Sequence, residues 1–122
     1  MTYKLLIVDD NALVRQLLRT CIQHDPDWEV CGEAQNGREA ITKVEDLKPD
    51  VVILDLQMPV MNGLEAAREI HVRAPATVMV MFTMHSSPQL LQEAHQAGIK
   101  HVISKTDSLA EGLLPALKHA HA

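Results

Sequence analysis

Apolar residues along this chain fall into two kinds of run that take turns. Short, dense blocks at residues 5–8, 29–32, 51–54, 78–83 and 102–104 have the length and residue types of β-strands. Between them, apolar positions recur at helical spacing. Leu13, Val14, Leu17, Leu18, Cys21 and Ile22 follow the first block, and Ala40, Ile41, Val44 and Leu47 precede the third. Leu64, Ala67 and Ile70 follow the third, and Leu90, Leu91, Ala94 and Ala97 follow the fourth. Ser87 suits the N-cap of that fourth helix, Pro88 its first position and Gly98 its stop. A last helix carries Leu109, Leu113, Leu117 and Ala120, with Pro115 inside it. An interior proline costs ~3 kcal/mol, so the pattern predicts a short first turn and a restart near Leu113.

Strand and helix in strict alternation predict an α/β fold, a doubly wound parallel sheet covered by helices on both sides. Blocks one, three and four are almost continuously apolar, as strands buried on two faces should be. The second reads Glu29, Val30, Cys31, Gly32, Glu33 and suits a sheet edge. No repeat, low-complexity tract or internal linker interrupts the pattern, so residues 1–122 are expected to form one domain.

Composition narrows the function more than the fold. Aromatic residues make up only 2%, which leaves the core to Leu, Ile, Val, Ala and Met. A net charge of −5 argues against nucleic-acid binding through a basic face of this domain. No apolar run approaches the ~20 residues of a membrane span, and "MTYKLLIVDD" turns acidic too early for a signal peptide. Cys21 and Cys31 have no metal or redox spacing; both are expected to be free, mostly buried thiols in a reducing cytosol. His119 and His121 lack nearby Cys or carboxylate partners, which argues against zinc.

The segment "DVVILDLQMPVMNG" runs four apolar residues straight into Asp55 and then into turn residues. Other central blocks also end in chemistry: the first in Asp9 and Asp10, the fourth in Thr83, and the fifth leads to Lys105. In open parallel sheets functional residues gather at the carboxyl ends of strands, near the point where strand order reverses. If the order is 2-1-3-4-5, three carboxylates would meet beside a hydroxyl and an ammonium. Three adjacent anions repel one another, and a hard divalent cation such as Mg2+ is the natural remedy. The set suits phosphoryl transfer: a carboxylate nucleophile, a metal against developing charge, and donors for the phosphoryl oxygens. Any one of these residues alone reads better as a turn former, helix cap or solvated side chain. It is their joint occurrence at four strand ends that points to a site.

"LLIVDDN", "PDVVILDLQMPVMNGLEAAREI", "VMVMFT" and "VISK" closely resemble the receiver domain of two-component response regulators, over nearly the whole chain. The strand order above, that of the flavodoxin-like (βα)5 fold, is the family's. The resemblance implies that Asp55 accepts a phosphoryl group from a sensor histidine kinase or a small phosphodonor, in the cytoplasm. It implies that Asp10 and Asp55 hold Mg2+ directly with the backbone carbonyl of Gln57, and Asp9 through a water. Thr83 would hydrogen-bond the phosphoryl group, and Lys105 would pair with Asp55 and then with the phosphate. The domain would serve as a switch rather than an enzyme.

"DDNALVRQLLRTCIQHDPDWEVCGEAQNG" looks most like the NarL/FixJ (LuxR-type) transcriptional regulators, and Thr106 after Lys105 fits that group. On that likeness DNA is met only through an output domain that this chain does not encode, so the chain is read as an excised receiver or, as the alternative, a stand-alone one. The face made by the Leu90 helix, the fifth strand and the Leu117 helix is expected, by analogy, to be a partner surface or a homodimer surface. Departures from the family pattern are Met84, where a small residue is usual, and Val102, where an aromatic ring is usual. The sequence alone leaves open whether Met84 crowds Asp55 or turns outward, and whether His101 is a polar reporter or an ordinary surface histidine. Gln57 and His85 stand where the family tunes phosphoryl lifetime; Met58 and Met61 read as loop packing. Two rival readings remain: a pseudo-receiver that no longer uses phosphorylation, and a phosphatase with an aspartyl nucleophile. Against the second, Leu56 and Gln57 replace its usual second aspartate and 122 residues leave no room for a cap.

Overall fold

Five strands, β1 (Tyr3–Val8), β2 (Trp28–Ala34), β3 (Val51–Leu54), β4 (Val78–Thr83) and β5 (Ile99–Ser104), pair in parallel in the order β2-β1-β3-β4-β5. Five helices alternate with them: α1 (Ala12–Gln23), α2 (Gly37–Leu47), α3 (Gly63–Arg73), α4 (Pro88–Gln96) and α5 (Leu113–Ala120). The computed structural model describes residues 2–84, 86–106 and 112–120, without the side chains of 119 and 120. His85, Leu109 and His121, and the side chains of His119 and Ala120, therefore lie outside the described residues. This is the α/β fold expected from the alternating pattern, in the flavodoxin-like strand order that the family resemblance implied.

The unbroken apolar strands are explained by two cores, one on each face. Leu6, Val8, Val52, Leu54, Met79 and Met81 belong to a cluster with Ala40, Ile41 and Val44 of α2, Leu64, Ala67 and Ile70 of α3, and Leu90 and Ala94 of α4. The intervening strand residues Leu5, Ile7, Val51, Ile53, Val80 and Phe82 join Leu18 and Ile22 of α1 and Leu113 and Leu117 of α5. Side chains alternate across a strand, so a four-residue block such as β3 fills both cores at once, and all four of its residues are buried.

Bounds for β3 and β4 match the apolar blocks, but the other three strands are longer. β1 begins at Tyr3, β2 covers Trp28–Ala34 and β5 begins at Ile99. Here the ladder continues past the apolar pattern: Tyr3 pairs with Trp28, and Val8 with Ala34. In both edge strands the register slips by one residue, at Cys31 in β2 and at Lys100 in β5, which breaks the alternation a pattern reading relies on. Helix α1 also differs from expectation. Its inner stripe is Leu18 and Ile22, while Leu13 and Leu17 are 76% and 54% exposed. Cys21 and Cys31 are free and half-buried rather than deeply buried.

The α4 signals act as read. Ser87 Oγ accepts from the Leu90 N–H at 3.1 Å, Pro88 opens the helix, and Gly98 at φ +92° follows its end. A side chain at Gly98 would also strike the His71 ring, 2.6 Å from an added Cβ. Helix α5 starts at Leu113, so Pro115 falls in its first turn, where a backbone N–H has no intrahelical partner to lose. No helix among the described residues is long and apolar enough to cross a membrane.

Candidate functional site

The register of β1 on β3 places Val8 opposite Leu54, so the next residues, Asp9 and Asp55, leave adjacent strands side by side. The ladder extends one step beyond each strand: Asp9 N–H donates to the Ala34 carbonyl at 3.1 Å, and Asp55 N–H to the Val8 carbonyl at 3.0 Å. Asp9 and Asp55 are buried, and Asp10, one residue on, is exposed. One carboxylate oxygen from each of the three lies within 4.8 Å of the others. From the far side of β4, the Lys105 N–H donates to the Thr83 carbonyl at 2.7 Å, which turns the chain back toward the cluster. Lys105 Nζ donates to Asp9 Oδ2 at 2.7 Å and stands 3.3 Å from Asp55 Oδ2. Thr83 ends β4 and is buried.

Local turns hold these groups. Asn11 donates its N–H to Asp9 Oδ1 at 2.9 Å, while its own side chain caps α1 by accepting from Leu13 and Val14. Asp55 Oδ1 accepts from the Leu56 N–H at 2.8 Å. The loop then folds back: Gly63 donates to the Leu56 carbonyl at 2.8 Å, and Asn62 with Glu65 forms a capping box on α3. A Cβ at Gly63 would lie 2.1 Å from the Asp55 carbonyl oxygen, so only glycine lets α3 begin this close to the site.

Between Pro59 and Met61 the loop makes a three-residue turn, with Met61 N–H donating to the Pro59 carbonyl at 2.7 Å and Val60 at φ +70°. A β-branched residue in that region is strained by about 1–3 kcal/mol. Val60 is 76% exposed, so it has little packing to lose. Val60→Gly, which takes positive φ without a Cβ clash, is therefore expected to stabilise the fold by about 1 kcal/mol, raising the urea midpoint without changing the slope of the transition.

Burial raises the Asp55 carboxyl above its ordinary range, and the charge of Asp9 adds to the rise; Lys105 and the Leu56 N–H offset only part of it. For Lys105 burial works downward, but the hydrogen bond and charge of Asp9, with those of Asp55, carry the ammonium above its usual range. One cation thus serves two buried anions, with the exposed Asp10 beside them. The donor set is all hard oxygen, and its exposed member leaves room for water. Those features fit a divalent cation of the Mg2+ type and not a soft metal.

Asp9, Asp10, Asp55 and Lys105, expected from three separate stretches, are thus brought together, and Thr83 ends the strand beside them. Gln57 sits two residues past Asp55 with its side chain exposed. Met84 is 56% exposed. Val102 packs half-buried against the α2–α3–α4 core, and His101 is half-buried as well. Sequence reading missed Arg15 and Glu33, which meet behind Asp9. The signal was an arginine in the first turn of α1 and a glutamate near the end of an edge strand, both unremarked because each suits a solvated position.

The response regulator receiver domain family matches residues 5–114. The protein-glutamate methylesterase/protein-glutamine glutaminase of Pyrococcus horikoshii is 47% identical over 80% of this chain and 25% of its own length. Chemotaxis protein CheY of Listeria monocytogenes is 38% identical over 96% of this chain and 97% of its own. A LuxR-family two-component response regulator from Aurantimonas sp. superposes with a TM-score of 0.92 at 32% identity, over 98% of this chain and 84% of that one. The chain spans about a quarter of the length of the methylesterases it matches.

Proposed function

The chain is a response regulator receiver domain, and from that premise we propose that Asp55 is its phosphoacceptor and that residues 1–122 work as one phosphorylation-controlled switch. The observation that carries this reading is the meeting of the Asp9, Asp10 and Asp55 oxygens within 4.8 Å around an ammonium that bonds two of them. A carboxylate oxygen of Asp55 attacks phosphorus while the bond to the donor, an imidazole nitrogen of a histidine kinase or the oxygen of a small acyl phosphate, breaks with its electron pair. Asp10, Asp55 and the Gln57 carbonyl would hold Mg2+, with Asp9 acting through a water; when bound, the ion offsets the charge that gathers on the phosphoryl oxygens. Lys105 transfers its hydrogen bond from Asp9 toward the phosphoryl group, and the Thr83 hydroxyl donates to it. Moving these two groups biases the β4–α4 and β5 region that a partner reads.

On this reading the domain modifies itself and turns over no external substrate. The cytoplasm, where a kinase supplies phosphohistidine, suits it, and self-association on phosphorylation is part of the proposal. The NarL/FixJ likeness of the β1–α2 segment supports a transcriptional output, with DNA met through a separate domain, as the charge of −5 favours. The methylesterase and CheY relatives show that receivers this similar serve other outputs too.

The test is incubation with acetyl phosphate and Mg2+, read by intact mass, followed by borohydride reduction of the acyl phosphate and peptide mapping. One phosphoryl group on residue 55, absent in EDTA, is expected. Labelling at Asp9 or Asp10, or none, defeats the assignment.

A further inference from the structure

Asp9 and Asp10 share one peptide group, and its carbonyl is held from outside the acidic cluster. Arg15, in the first turn of α1, donates from Nη1 to the Asp9 carbonyl oxygen at 2.6 Å. Its Nε donates to Glu33 Oε1 at 2.9 Å. The other Glu33 oxygen receives Arg19, from Nε at 2.8 Å and Nη2 at 2.7 Å. Lys43 Nζ donates to the Glu33 carbonyl from α2. Burial would raise the Glu33 carboxyl, but the hydrogen bonds and charges of Arg19 and Arg15 outweigh it and hold the group below its ordinary range. Glu33 is thus a fixed anchor on β2, and a planar guanidinium bonded at two corners cannot turn. The Arg15 side chain is only 14% exposed.

We propose that Arg15, oriented by Glu33, is a positioning residue that sets the Asp9–Asp10 peptide plane and so preorganises both β1 carboxylates for the divalent cation; this rests on the phosphoacceptor reading above. Asp9 has further restraints in Asn11 and Lys105. Asp10 is exposed and takes its direction from the peptide that Arg15 pins. Arg15 itself need touch neither the cation nor the phosphoryl group.

Charge and geometry predict opposite signs when this side chain is removed. Deleting a cation near three carboxylates strengthens cation binding, although Glu33 already neutralises most of that effect. Losing the peptide's orientation weakens it, by about tenfold on the scale of outer-shell partners. Arg15→Met should therefore raise the Mg2+ dissociation constant about tenfold, read by amide chemical shifts in a Mg2+ titration without phosphodonor. The half-saturating Mg2+ for acetyl phosphate labelling should rise in step, while the rate at saturating Mg2+ stays near wild type. Arg15→Lys, which keeps the charge but lacks the planar fork that fixes the direction of both bonds, should fall between. The double variant Arg15→Met/Glu33→Gln, which leaves net charge unchanged, should match Arg15→Met and provides the reading if the single variant folds poorly. Unchanged or tighter Mg2+ binding in these variants, with wild type labelled normally, overturns the role of Arg15 alone. Failure of wild type to label overturns the phosphoacceptor reading itself.

Discussion

Asp55→Asn is expected to abolish phosphoryl labelling while making the unmodified domain more stable. The loss follows because an amide cannot attack phosphorus, and no other carboxylate here ends β3. The gain follows from electrostatics. Carboxylate oxygens within 4.8 Å of one another repel by at least about 3 kcal/mol at an effective dielectric of ~20, and Lys105 cancels most but not all of this. A net gain of about 1 kcal/mol, or roughly 3 °C in melting temperature, is expected in EDTA. The Leu56 hydrogen bond survives, since Asn retains an acceptor in the position of Oδ1. The sign is fixed by the raised Asp55 carboxyl. A group whose folded pKa lies above its unfolded value favours folding fully below the unfolded pKa of about 3.9, and that contribution is lost as pH rises through the folded value. Wild type should therefore lose this increment as pH climbs from about 4 toward neutrality, and the variant should not. Urea midpoints across that range, with intact-mass labelling at pH 7, check both halves. Equal labelling of the variant, or identical pH profiles, would contradict the argument.

The features legible in the sequence are those that two-sided burial imposes. Val51–Leu54 reads as a central strand because a four-residue, β-branched apolar run closed by turn residues is too short for a buried helix, and its bounds agree. Ser87, Pro88 and Gly98 marked α4 because capping chemistry is local. The edges were less legible, since β2 and β5 are half-solvated and continue by hydrogen bonding where their residues turn polar. The slips at Cys31 and Lys100 leave no compositional trace. Leu13 and Leu17 share the 3.6-residue period with Leu18 and Ile22, and a period alone cannot say how wide the buried stripe is. For the site, Asp9, Asp10, Asp55 and Lys105 could be gathered once a strand order was supplied by family likeness. Arg15 and Glu33 could not, because their link joins a helix to an edge strand across 18 residues and lies behind the carboxylates.

Lys105→Met should produce the largest loss of stability, and Mg2+ should return much of it. The ammonium lies 2.7 Å from an oxygen of Asp9 and 3.3 Å from one of Asp55, and both acids are buried. Removing one partner of a buried pair costs about 3 kcal/mol, because the desolvated anions left behind lose their counter-charge. Met keeps an unbranched aliphatic stem of similar length, and the cation–π contact of Nζ, 5.9 Å from the Phe82 ring centroid, goes with the charge. On the proposed reading a divalent cation serves the same anions, so Mg2+ should bind the variant more tightly than wild type. At a hundred times its dissociation constant it should restore about 2.7 kcal/mol. The pH profile separates this from simple misfolding. The raised Lys105 ammonium favours folding fully below its unfolded pKa of about 10.4, and loses that contribution as pH rises through the folded value. Wild type in EDTA should therefore show an alkaline loss that the variant lacks. Urea unfolding with EDTA and with Mg2+ decides the matter: equal destabilisation in both would mean that Lys105 and the cation do not act on the same carboxylates.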